Sequence, residues 1–126
     1  MSASSYEEEL SERHVHQKQW DAVVSAAVKE VEDSVLKRYP GFHHTTFFGA
    51  MGIDPKHLAI WCFFEKDEDL KRAEEEHFTG AIQKAMCEVL RKHGYPSFLV
   101  PSFFVSFATN EDVKRTCGGN YWHYLK

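Results

Sequence analysis

Eight histidines in 126 residues make the imidazole ring the first place to look for chemistry, since it is the side chain that ordinarily titrates near neutral pH. Three of them, His43, His44 and His57, fall with Cys62 in one stretch, FHHTTFFGAMGIDPKHLAIWCFFE, from Phe42 to Glu65. Folded as a hairpin, this stretch sets His44 opposite Cys62 on one face, and neighbouring strands bring such a pair within reach of a shared ion. His123 would join them if the last strand lay beside the hairpin. Against a metal, His43 and His44 point to opposite faces of a strand, and no carboxylate falls between them. His14-Val15-His16 has a chelating spacing, but it lies in a polar leader. Cys62 also reads as a small buried hydrophobe. No metal or other cofactor is expected; His44, His57, Cys62 and His123 are the candidates were one to bind.

Two further pairs carry reactive groups. Glu74 and His77 have the Glu-x-x-His spacing of di-iron helical bundles, but such bundles need a second pair and two more glutamates on facing helices. This chain has too few long helices, so an exposed acidic helix face is the simpler reading. Cys117, ahead of Gly118-Gly119-Asn120, would be a nucleophile with His123 as its base, yet no third group stands ready to orient the histidine. The glycines also serve simply to turn the chain.

The elements that must position these groups centre on the hairpin. Gly52-Ile53-Asp54-Pro55 punctuates two runs rich in Phe, Trp, Ile and Thr, with Gly52 free to take positive φ and Pro55 fixing its own. With side chains alternating, Phe42, His44, Thr46, Phe48 and Ala50 share a face with Leu58, Ile60, Cys62 and Phe64. His43, Thr45, Phe47 and Gly49 lie on the other with His57, Ala59, Trp61 and Phe63. Both faces are too apolar for water, so helices, a partner or a ligand must cover each.

Around the hairpin, Trp20, Val23, Val24, Ala27, Val28, Val31 and Val35 recur at helical spacing and predict a helix from Gln17 to about Tyr39, closed by Pro40-Gly41. Lys66-Asp67-Glu68-Asp69 starts a second helix with Asp67 as N-cap. It weakens near Gly80 and ends at Gly94 with Pro96 beyond. Pro101 pushes the third strand to Ser102–Ala108. Thr109-Asn110-Glu111-Asp112 begins a short helix, and Asn120–Tyr124 reads as a closing fourth strand. The fold expected is α+β: a two-layer sandwich with a mostly antiparallel four-stranded sheet, two long helices and one short one, in the order α-β-β-α-β-α-β. Residues 1–16 form a polar leader, partly disordered or a short helix, and 17–126 a single domain.

Composition narrows the function classes. A net charge of −4 and a pI near 6 argue against nucleic acid. The element order is not that of an RRM, and no RNP-like motif is present. Three widely spaced cysteines, Cys62, Cys87 and Cys117, fit a reducing compartment better than a disulfide framework. No apolar run reaches the ~20 residues of a membrane helix, and MSASSYEEEL is not a signal sequence. A soluble, cytoplasmic protein follows. The expected function is a binding or interaction module, a homodimer or a holder of a small hydrophobic ligand. Its contact surface would comprise His43, Phe47, Trp61, Phe63, Tyr121, Trp122 and Tyr124. The alternative is a small histidine-dependent enzyme, with or without a metal, whose cleft is lined by His44, His57 and His123.

Overall fold

The computed structural model describes residues 2–96 and 104–125, with side chains described from residue 15. Its centre is β2 (Ala59–Phe64), whose side chains alternate between two separate cores. Strand β1 (Phe42–Phe48) runs antiparallel to it, and β3 (Val105–Thr109) runs parallel on the other side. The sheet order is β1-β2-β3.

The inner face carries Ile60, Cys62 and Phe64 against α1 (Ser2–Ser34) and α3 (Phe78–Lys92). The valine stripe read from the sequence supplies this layer: Val24, Ala27, Val28 and Val31 are buried. They meet Ile82, Met86 and Leu90 of α3, spaced to share one helix face. β-branched valines are modest helix formers, so burial against the sheet rather than propensity holds this part of α1. The helix stops at Ser34, and a 3-10 turn (Leu36–Arg38) carries the chain to Tyr39.

Between β2 and β3 the chain forms α2 (Asp67–Glu75) and then α3. The break comes at His77, in the left-handed region at φ 61°, rather than at Gly80. Lys66, not Asp67, caps α2; its N–H donates to Asp69 Oδ2 at 3.1 Å. Asp67 instead accepts from Arg115 at 2.9 Å and Thr109 at 2.5 Å, tying α2 to the following helix. That helix, α4 (Asn110–Cys117), begins where expected: Thr109 Oγ1 accepts from the Asp112 N–H at 3.0 Å.

Two larger expectations are overturned as well. The sheet among the described residues has three strands and is mixed, not four strands and mostly antiparallel, and five helices surround it rather than three. Tyr121–Tyr124, read as the fourth strand, is a short helix, α5, capped by Asn120 Oδ1 accepting from the His123 N–H at 3.1 Å. The reason lies in the spacing: Tyr121, Tyr124 and Leu125 sit three and four apart, so one turn of helix aims all three at the sheet. The third strand begins at Val105; the earlier part of its expected span, Ser102 and Phe103, lies outside the described residues.

The hairpin register is the second correction. β1 pairs Phe42 with Phe64, then skips a residue and pairs His44 with Phe63. This bulge at His43 reverses the parity beyond it. Thr45 and Phe47 join the inner face beside Cys62 and Ile60, while His44, Thr46 and Phe48 join Phe63, Trp61 and Ala59 on the outer one. His44 therefore does not face Cys62.

Candidate functional site

The outer face of the sheet carries a small second core made by Phe63, Ala108 and Val113, with Trp61, Tyr121, Tyr124 and Leu125 packed against it. Phe63 has no exposed surface. His44 lies flat on its ring at 4.7 Å, with 6° between the planes, and Tyr121 meets it edge-on at 5.2 Å. Tyr124 approaches Trp61 edge-on at 6.3 Å. Edge-to-face and offset contacts of this kind add to what burial alone contributes.

Polar groups fasten α5 over this face. The Tyr121 hydroxyl donates to Asn110 Oδ1, whose amide nitrogen donates to Glu65 Oε2 at 2.9 Å. The same carboxylate lies 3.6 Å from His43 Nε2. His43 and His44 face each other through their Nδ1 atoms at 2.7 Å, a contact that requires one proton between the two rings. The Tyr124 hydroxyl donates to Asp112 Oδ2 at 2.5 Å, and Arg115 bridges Asp112 to Asp67. Asp112 and Asp67 are both held below the ordinary carboxylate range. For Asp112 the hydrogen bond from Tyr124 is the largest cause, and for Asp67 that from Thr109.

Coverage by α5 is incomplete. Between β1 and α5 runs a groove of about 580 Å³, lined by His44, Thr45, Thr46, Phe47, Phe48, Tyr121, Trp122 and Leu125. Trp122 is 73% exposed at its rim and Phe48 45% exposed. A second depression of about 400 Å³ lies on the other side of the same strand, lined by Ser25, Lys29, Glu32 and Lys37 of the α1 side with Thr45, Thr46 and Phe47. It is the polar counterpart of the first.

The residues expected to form a contact surface are thus dispersed. Tyr121, Trp122 and Phe47 line the groove, Phe47 from the strand edge while it also packs on the main core. Trp61 and Tyr124 are half-buried in the outer core, Phe63 is its sealed centre, and His43 is exposed in the bulge. Sequence reasoning missed Thr45, Thr46, Phe48 and Leu125. Leu125 had a signal, its spacing of four from Tyr121.

His44 and His57 do not converge. His44 stands on the outer face; His57 is exposed in the 3-10 turn Pro55–His57 at the far end of the hairpin. Four residues of strand separate those two ends, about 13 Å at the usual rise per residue. Cys62 is sealed in the inner core, and burial, with a smaller contribution from Glu32, pushes its thiol up to about 12. His123 is exposed on α5, and Cys117 Sγ lies 3.7 Å from the Thr116 hydroxyl, which donates its proton to the Asp112 carbonyl at 2.7 Å. Among the described residues no group of three His, Cys, Asp or Glu side chains could hold a metal ion. No helix there is long and apolar enough to cross a membrane.

Burial against Phe63 is also the chief reason the His44 ring is held below its ordinary 6.5, followed by electrostatic repulsion from the neighbouring His43; Glu32 opposes the shift. A histidine whose pKa is lower when folded leaves the unfolded chain binding more protons, so stability is full above pH 6.5 and declines as pH falls below it. Glu65 and Tyr121 are the other titratable groups around the pair. Urea midpoints measured from pH 7.5 to 5 should drop more steeply for the natural chain than for His44→Phe. Parallel curves would refute this.

No protein-family model matches the chain, and no curated protein or solved structure is significantly similar to it.

Proposed function

We propose that this protein is a non-catalytic binding module that holds a small, largely apolar ligand in the groove between β1 and α5. The observation that carries the reading is the groove itself. Its volume of about 580 Å³ falls within the ~300–1,000 Å³ range of small-molecule sites. Phe48, Trp122 and Leu125 offer apolar surface, and the hydroxyl of Thr46 and the ring of His44 offer a few fixed polar points. Such a composition, mostly apolar with sparse orienting groups, suits a flat or branched hydrophobic molecule better than a charged one. Three free thiols, one of them sealed in the core, support a reducing, cytoplasmic setting.

A titration with 1-anilinonaphthalene-8-sulfonate, followed by its own fluorescence and by that of the tryptophans, tests the reading. Saturable binding is expected for the natural chain. Trp122→Ala should weaken it by about tenfold or more, since a large aromatic at a binding rim is the kind of side chain that dominates affinity. Far-UV circular dichroism and the urea midpoint of the variant, read beside those of the natural chain, separate lost binding from lost fold. Binding that does not saturate, or that ignores the loss of Trp122, would refute the assignment.

A further inference from the structure

Strand β1 is at the edge of the sheet, and no strand among the described residues pairs with its outer side. Natural edges are usually blunted by charge, proline, a bulge or a covering element. β1 has one such device, the bulge at His43, and it lies at one end. From His44 to Phe48 the register is regular, and the segment HTTFF contains no Lys, Arg, Asp, Glu or Pro. The opposite edge is treated differently, since the Gln83 side chain donates to the Val105 carbonyl at 3.2 Å. Thr45, Thr46 and Phe47 line both grooves, the apolar one outside and the polar one beside α1. Space is therefore open above and below this edge, as an added strand needs if its side chains are to alternate between the two faces.

We propose that the strand added there is β1 of a second copy of this chain, antiparallel about a two-fold axis through Thr46, giving a continuous six-stranded sheet. The segment is complementary to itself in that register. His44 of one copy falls opposite Phe48 of the other, Thr45 opposite Phe47, and Thr46 opposite itself. Pairs of aromatic rings and of threonines are favoured across strands, and no carboxylate, lysine or arginine meets its like. On the polar side, Lys29 and Glu32 lie nearly one helical turn apart along the groove. The Thr45 hydroxyl donates to Glu32 and holds its carboxylate at the strand edge. A two-fold axis reverses the order of Lys29 and Glu32 in the second copy, turning Lys29 of each toward that carboxylate of the other. An extended peptide from another protein would supply hydrogen bonds to the edge but not this reciprocity. The inference stands on the open edge and not on the ligand reading; the added strand's outer-face side chains would enter the apolar groove, so the dimer and a ligand bound there would exclude each other.

Analytical ultracentrifugation of the full chain, of Thr46→Lys, of Thr46→Glu and of their equimolar mixture tests it. The natural chain should form a dimer that dissociates on dilution. Each variant should self-associate about tenfold more weakly or worse, because identical charges then meet at the axis. The mixture should recover a one-to-one dimer. Amide exchange on the natural chain gives a readout free of any variant: exchange in His44–Phe48 should slow as concentration rises. A natural chain that stays monomeric would overturn the proposal, as would Thr46→Lys dimerising as tightly as the natural chain, a mixture that remains monomeric, or strand amides indifferent to concentration.

Discussion

Phe63→Ala should destabilise the folded chain by about 3–5 kcal/mol, the range for removing a fully buried phenylalanine from a packed core. The expectation is at the upper part of what a single substitution does because the outer core is small. Phe63, Ala108 and Val113 are its buried members, and Phe63 is the largest of them. Its ring is also the surface on which His44 lies and against which Tyr121 and Tyr124 lean. With that surface gone, the hydrogen bonds from Tyr121 to Asn110 and from Tyr124 to Asp112 become the main attachments of α5. They are partly solvated and worth little without the packing that orients them. Amide exchange across Tyr121–Tyr124 should therefore accelerate more than exchange in α3. Phe63→Leu, which keeps most of the volume, should cost less than half as much. A loss below about 1 kcal/mol for the alanine variant would mean that α5 does not pack on the sheet.

The same residue shows how far the sequence could be read. That the hairpin needed cover on two sides was legible, because Ile60, Cys62 and Phe64 alternate with Trp61 and Phe63 and both sets are apolar. Which residues of β1 stood with which was not legible, because the bulge falls on His43, with no glycine to mark it. One skipped residue moved His44 away from Cys62 and exchanged Phe47 with Phe48 between the inner and outer faces of the sheet. The covering element was misread for a related reason. In YWHY both a strand and a helix place aromatics usefully, and four residues are too few for periodicity to decide. Extending the window by one residue, to Leu125, brings out the helical spacing. Ends marked by local chemistry were easier. Thr109 caps α4, Gly94 follows α3 at φ 91°, and Gly118 closes α4 at φ 59°, all where side-chain type alone placed them. Gly52 was the misleading glycine: its N–H donates to Gln17 Oε1 at 2.8 Å, and positive φ is needed three residues earlier, at Gly49.

That displacement sets the other large expected effect. Gly49→Ala should destabilise the chain by more than about 3 kcal/mol and lower its Tm by ~10 °C or more. Gly49 has φ 141°, which side chains of L-residues rarely tolerate. A Cβ there would overlap the carbonyl oxygen of His57 and stand 2.8 Å from its carbon and 3.2 Å from Leu58 Cα. All three atoms are backbone, so no rotamer change relieves the overlap. The chain is also held in place, because the Gln17 amide donates to the Gly49 carbonyl at 3.1 Å while its oxygen accepts from Gly52. Relief requires the turn to open, which would pull Phe48 away from the groove and Met51 and Leu58 out of the core. Gly80→Ala is the matched control. It lies near the start of α3, a Cβ there meets nothing within 4 Å, and its φ is not positive. Replacing that glycine should raise stability by about 0.5–1 kcal/mol, because alanine gives up less backbone entropy in a helix. Thermal unfolding of the two variants beside the natural chain should therefore give shifts of opposite sign. If Gly49→Ala melts within ~2 °C of the natural chain, the close approach of Gly49 to His57 is not what holds the turn, and the position of Phe48 beside the groove loses its support.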